Sequence, residues 1–446
     1  MIPLLVRRRA SPRSEDLEAR PLRLVVDPKS LGASEELEFL LTFMGRGHVE
    51  VWSTDPDASF YVAAEMTNAS GATFEFRATS PHEKRSGVIP NVPSAIAQAP
   101  RLEAAGLGGE AGLRRKLLNV ALAGAFGADA LVADMPVQEL RRAGIRQVQT
   151  QNILSASEAL ALIGLVLRTS LNEVPIPLGP GEWRHSRGNF YWDGVRLRLP
   201  SWDAWHGEPI QSGDWAAAES SQATLIRMAH ALRARDHCHA EWQLSRNPHS
   251  DEGLYHLDMY LVSSMGALDA AARVISRRLG YQGEDRDIGW QRAPWLKWLE
   301  SRAPALAALA AEGSEGGTFI HLMVKFRNLV HSETFHGRTL QTPEVEVYGL
   351  YLPDSIEEKL IGYFESLGGA AVWGVCPGSG RNERGWFSAP VFLEVATLRL
   401  FGLLNRLMEQ SVLAASTTPR ARPCSPPGSI RVPELERREL WLLGLA

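Results

Sequence analysis

Apolar residues recur at three- and four-residue steps through much of the second half of the chain, and at every second position in short runs near its start. Leu254, Leu257, Leu261, Met265, Leu268, Ala272, Ile275 and Leu279 form the longest series. That spacing predicts a helix with one face buried along other helices, and Gly280 stands where such a helix stops. Similar periodicity predicts helices over 215–244, 295–309, 355–367 and 391–413, with Asn247-Pro248 ending the first and Pro304 kinking or ending the second. In the first half, residues 22–26, 48–52 and 59–63 read as strands, with helices over 34–44 and 113–126. Residues 130–134 make a short apolar strand ending in Asp134. Residues 151–154 lead into Ser155 and Glu158, a capping box that opens a helix over 156–168. Strand and helix alternate here, as in an α/β layer.

Breaks in the pattern divide the chain. Residues 77–100 are rich in Pro, Ser and charge and read as a loop. Pro175, Pro177 and Pro180 mark a linker, after which Asp193-Gly194, between residues 189–192 and 195–199, carries a strong hairpin signal. Trp202, Trp205 and Trp215 follow closely and suit a seam between layers. Residues 345–352 are strand-like, and 417–428 are too rich in Ser, Thr, Pro and Arg to bury a core. The expected organisation is a flexible terminus over 1–20, an α/β domain over 21–172, and a linker with a β-hairpin over 173–213. A mainly helical domain over 214–413 and a mostly disordered tail over 414–446 complete it. A chain of 446 residues exceeds one ordinary core, which agrees with two domains or more.

Composition narrows the function only in places. The chain is 45% hydrophobic and 22% charged, typical of a globular protein, and its net charge of −4 gives no global pull toward nucleic acid or anionic lipid. Any RNA contact is therefore expected to be local. Cys238, Cys376 and Cys424 stand too far apart for a disulfide framework or a zinc knuckle, which suits a reduced, cytoplasmic setting. The start lacks a signal-peptide core, and no apolar run of about 18 residues predicts a membrane span. No Walker loop, dinucleotide-binding glycine pattern, nucleophile elbow or HExxH stands out. No cofactor and no metal are expected.

The stretch with the most chemistry is 318–336. Phe319, Met323, Phe326 and Val330 form an apolar stripe, and Arg327 and His331, one turn apart, share its flank. Arginine offers a phosphate a planar fork of donors, and histidine moves protons near neutral pH. These are parts for phosphodiester cleavage. The run Arg327-Asn328-Leu329-Val330-His331 resembles the motif of the HEPN superfamily, although that pattern usually leaves four to six residues between Arg and His and three stand here. The resemblance implies a helical bundle over roughly 214–336. It also implies metal-independent RNA cleavage by attack of the ribose 2′-hydroxyl, with His331 moving protons, Arg327 stabilising charge on phosphorus and Asn328 steadying the motif. A homodimer through the helical domain and a toxin or phage-defence setting are further implications. The alternative is a non-catalytic scaffold that binds a protein partner and keeps a degenerate motif.

Three smaller features complete the candidates. Asp129 and Asp134 weakly resemble carboxylates of PIN-like nucleases, which hold a metal. Asp236-His237-Cys238-His239 has ligand-type residues, but neighbouring positions on a helix diverge, so a partly exposed helix end is expected instead. Asp258 and Asp269 edge the long apolar seam, where a bundle could set one of them beside Arg327.

Overall fold

The computed structural model describes the chain except residues 4, 6, 9–20, 68–72, 91, 146, 147, 149, 150, 179, 180, 245–250, 333, 334, 342–344, 379–383 and 416–432. Asn247-Pro248 and Cys424 lie outside the described residues. The fold is mixed α/β, a seven-stranded sheet followed by a mostly helical region.

The sheet uses β2 (Leu22–Val26), β3 (Val49–Ser53), β4 (Tyr61–Met66), β5 (Phe74–Thr79), β6 (Lys84–Ile89), β7 (Ala130–Val132) and β8 (Ile153–Leu154) in the order β6-β5-β4-β3-β2-β7-β8. Strands β2, β3, β4, β7 and β8 pair in parallel, and β5 and β6 add an antiparallel edge. Side chains on β2 alternate between two cores. Val25 packs with Trp52, Val62 and Val120 under α3 (Val92–Ile96), α4 (Ala99–Ala104) and α5 (Glu110–Phe126). Leu24 and Val26 face the other way, toward α2 (Glu35–Leu41) and α7 (Ala156–Ser170). Two short helices, α1 (Pro28–Leu31) and α6 (Val137–Arg142), fill connections. The capping box at Ser155 and Glu158 is present, with Glu158 N donating to Ser155 Oγ at 3.2 Å.

A ribbon of β9 (Glu173–Leu178) and β10 (Gly181–Ser186) leads to α8 (Arg187–Arg198), α9 (Trp202–Ser212), α10 (Trp215–His239) and α11 (Asp251–Leu279). Then come α12 (Ala293–Arg302), α13 (Pro304–Ala310), α14 (Glu315–Ser332), α15 (Glu357–Ser366), α16 (Ala389–Ala415) and α17 (Pro433–Leu443). The seam of α11 is buried as expected from Leu257 to Leu279, with Leu254 half-buried at its start. A second sheet joins β1 (Arg7–Arg8), β11 (Gly337–Gln341), β12 (Val345–Tyr351), β13 (Val375–Cys376) and β14 (Trp386–Phe387). The core on one face of the first sheet runs on without a break into the helical region.

Four expectations are corrected. The hairpin lies at 173–186, not around Asp193-Gly194. Pro175 and Pro177 are tolerated because β9 pairs on one side only, leaving its other edge without a ladder to break. Residues 187–198 are helical, with Ser186 Oγ accepting from Asn189 N, and Gly194 is small because a Cβ there would run into Leu443. The stretch 77–100 carries strand β6 and two helices. Its polar look reflects an edge strand with one solvated face, on which Lys84, Ser86 and Val88 point outward. The expected disorder over 417–428 lies outside the described residues, but the tail beyond it is helical from Pro433 to Leu443, with Trp441, Leu442 and Leu443 buried. At the other end, Ile2 is buried, its N–H donating to Glu394 Oε2 at 3.0 Å, and Arg7–Arg8 pair with β12.

Candidate functional site

Helix α14 buries Phe319, Met323 and Phe326, the last stacked on Phe392 with ring centroids 4.7 Å apart, and half-buries Val330. This packing fixes the rotation of the helix, so Arg327 and Asn328 fall on its outer flank, half-buried and exposed respectively. His331 lies one turn further along the helical backbone, and its side chain is outside the described residues. The Arg327 Nε is buried and has no hydrogen-bond partner among the described residues. Asp269 on α11 feels Arg327, Arg273 and Arg292 together. Burial raises its carboxyl above the usual carboxylate range, and the three guanidiniums oppose that shift, Arg327 most. Arg273 and Arg292 are exposed. The other carboxylate on the seam, Asp258, lies instead near Cys238, where burial and its charge push the thiol well up.

The structure separates Asp129 from Asp134. They precede and follow β7, about 16 Å apart at strand rise, so they cannot share an ion. Asp129 Oδ2 accepts from Arg23 N at 2.8 Å, and Asp134 N donates to Ser30 Oγ at 3.2 Å. The PIN-like pairing is therefore corrected: strand geometry puts the two acids at opposite ends of β7.

Residues 236–239 are not an exposed helix end. The helix continues through a π-helical turn, Ala240–Leu244, and Asp236, Cys238 and His239 are fully buried. The two histidines diverge as helix geometry requires. His237 stacks on His256 at 4.8 Å, burial and its neighbour lowering its pKa to about 4. His239 receives a hydrogen bond from Gln243 Nε2 at Nδ1, 2.7 Å, and donates from Nε2 to Glu394 Oε1 at 3.0 Å. Asp236 is the centre of an ionic cluster that sequence reasoning missed. Arg168 Nε reaches its Oδ2 at 2.6 Å, Tyr191 donates to the same oxygen at 2.8 Å, and Arg235 Nη2 reaches Oδ1 at 2.9 Å. Arg168 and Arg235 also donate to the carbonyls of Leu442 and Leu443 in α17.

Among the described residues, one group has metal-ligand spacing: His185, Asp193 and Glu439, from β10, α8 and α17. His185 Nε2 lies 2.9 Å from Glu439 Oε1 and Nδ1 lies 3.9 Å from Asp193 Oδ2. Both ring nitrogens thus face carboxylates, the arrangement of a protonated clasp. The hydrogen bond to Glu439 raises the His185 pKa, with burial opposing. Stability from the clasp is fully present below the ordinary imidazole value of about 6.5 and is lost as pH rises through the raised value. The gap in melting temperature between wild type and His185→Gln should therefore be wide at about pH 5 and close by about pH 9. A gap that widens with pH would rule the clasp out.

No helix among the described residues is long and apolar enough to cross a membrane. Comparison with protein-family models, curated proteins and solved structures finds no match.

Proposed function

We propose that the chain is a HEPN-like, metal-independent endoribonuclease whose site lies at the outer flank of α14. The observation that carries the reading is the Arg327 guanidinium, held by a buried helix face with its Nε buried and without a hydrogen-bond partner among the described residues. A cation fixed in place with an open donor suits an incoming phosphate, and with the exposed Arg273 and Arg292 it outnumbers the one carboxylate they share, Asp269, giving a local positive field on a chain of net charge −4.

In this reading His331 takes the proton from the ribose 2′-hydroxyl, which attacks the adjacent phosphorus. The 5′-oxygen leaves and takes up a proton, giving a 2′,3′-cyclic phosphate and a 5′-hydroxyl end. Arg327 stabilises the charge gathering on the phosphoryl oxygens. A homodimer through the helical region belongs to the same proposal. The test is a cleavage assay on RNA with the purified chain, with and without EDTA. Cleavage should persist in the chelator and yield cyclic phosphate ends. Products bearing 5′-phosphates, activity lost to EDTA, or no cleavage above a mock purification would sink the proposal, and the last result would favour the scaffold alternative.

A further inference from the structure

A cavity of about 660 Å³ lies at the other end of α14 from Arg327, walled by residues 1–3, the start of α14 at Gly316 and Phe319, and the outer face of α16. Its size falls within the range of small-molecule sites. Helix α16 is apolar on two faces. Phe392, Leu393, Ala396, Leu400 and Leu404 are buried in the core, whereas Val391, Val395 and Leu398 line the cavity and are only half-buried. An apolar wall of this kind gains from an apolar occupant.

The charges on the wall decide what the occupant carries. Glu394 accepts from Ile2 N and His239, Glu158 caps Ser155, and Glu315 is paired with Arg399, which also donates to Leu367 O at 2.6 Å. Arg406 is different. It is exposed and makes no hydrogen bond or ion pair among the described residues. The Met1 α-amino group also lines the wall, partly buried and offset by Glu394 and Glu158. Arg406 is therefore the side-chain cation on the wall with no carboxylate against it among the described residues, one turn beyond Gly402 on the same helix face. A Cβ built at Gly402 meets nothing within 4 Å, so open space lies directly over that position.

We propose that this cavity binds an apolar carboxylate, an aliphatic or aromatic body lying along Val391, Val395 and Leu398 with its head on Arg406. A carboxylate is favoured over a phosphate because one guanidinium matches its two oxygens, while a dianion needs a second cation, and Arg399 is committed to Glu315 and the Met1 ammonium is offset by Glu394.

The test is calorimetric titration of the full chain with decanoate, with 1-decanol, decyl phosphate and decyltrimethylammonium as comparisons. Decanoate should bind saturably at one site, with decanol and the cation each about tenfold weaker or worse. Arg406→Gln should weaken decanoate by about tenfold and leave decanol unchanged. Gly402→Leu should abolish binding of both by filling the space. Its melting temperature should be unchanged or raised, because the added side chain has room and glycine is a poor residue inside a helix. Absence of saturable binding, equal affinity for the cation, tighter binding of the phosphate, or decanoate affinity indifferent to either substitution would overturn the proposal. None of these readouts involves RNA, so the result is independent of the reading at Arg327.

Discussion

Asp236→Asn is expected to lower the stability of the chain by about 3–5 kcal/mol, the usual cost of breaking a buried charge pair by removing one partner. The carboxylate is fully buried and answers two guanidiniums, those of Arg168 and Arg235, which are themselves fully buried. Asparagine keeps the shape but leaves Arg168 buried without a carboxylate and Arg235 with only Glu394, 3.7 Å away. Those guanidiniums hold the Asp236 carboxyl well below the usual carboxylate range despite its burial, and Arg235 and His239 likewise lower Glu394. Carboxylates with depressed pKa values contribute stability that is present above their unfolded values and is lost as pH falls through the folded ones. The cluster should therefore sharpen acid unfolding of the wild type below about pH 4. Urea unfolding of both proteins at neutral pH measures the first effect, and an unchanged midpoint for Asp236→Asn would show that the cluster does not hold the core. A triple replacement by apolar residues of similar volume, Arg168→Met, Arg235→Met and Asp236→Leu, should recover much of the loss, because the charges are costly to bury in the first place.

The second large effect concerns catalysis. Under the proposed reading, His331→Ala and Arg327→Ala should each lower RNA turnover by roughly 10²-fold or more, the scale for a positioned acid–base group or a charge stabiliser. The losses should not add in the double variant, since the groups act on one transition state. Arg327→Lys is the sharper probe: it keeps the charge but loses the planar fork, so a phosphate clamp is impaired where a general surface cation is not. Arg327 lies beside the buried stripe of α14 and not in it, so stability should change by no more than about 1 kcal/mol. Full activity in both Arg327→Lys and His331→Ala would separate any cleavage from this helix.

What the sequence revealed and what it hid follow from the reach of each signal. Periodicity is local, so it located β2, β3, the seam of α11 and the capping box at Ser155, where neighbouring residues alone decide the structure. It failed where a distant segment sets the meaning of a residue. Asp193-Gly194 has the composition of a turn, but Gly194 is needed for the close approach of Leu443, far along the chain. Pro175 and Pro177 look like linker residues until the ribbon is seen to have an unpaired edge. At the candidate site, Asp258 and Asp269 were legible as the two possible neighbours of Arg327 because they edge an amphipathic seam, but only packing decides for Asp269, and Arg273 and Arg292 carried no mark separating them from surface charge. The ionic cluster had one faint signal. Glu394 and Thr397 fall in phase with buried Leu393 and Leu400 of α16, polar residues on a face that should be apolar.

The hydrogen bonds from Arg168 and Arg235 to α17 also set a clock. Their acceptors, Leu442 and Leu443, follow them by 274 and 208 residues. At a synthesis rate of about 5–20 residues per second, the stretch from Arg235 to Leu443 takes on the order of 10–40 s to make. Throughout that interval helices α7 and α10 exist without the carbonyls that complete their buried cations, and a nascent chain cannot close this part of the core. The helical region is thus bound to mature late, leaving its apolar faces to be shielded until α17 arrives.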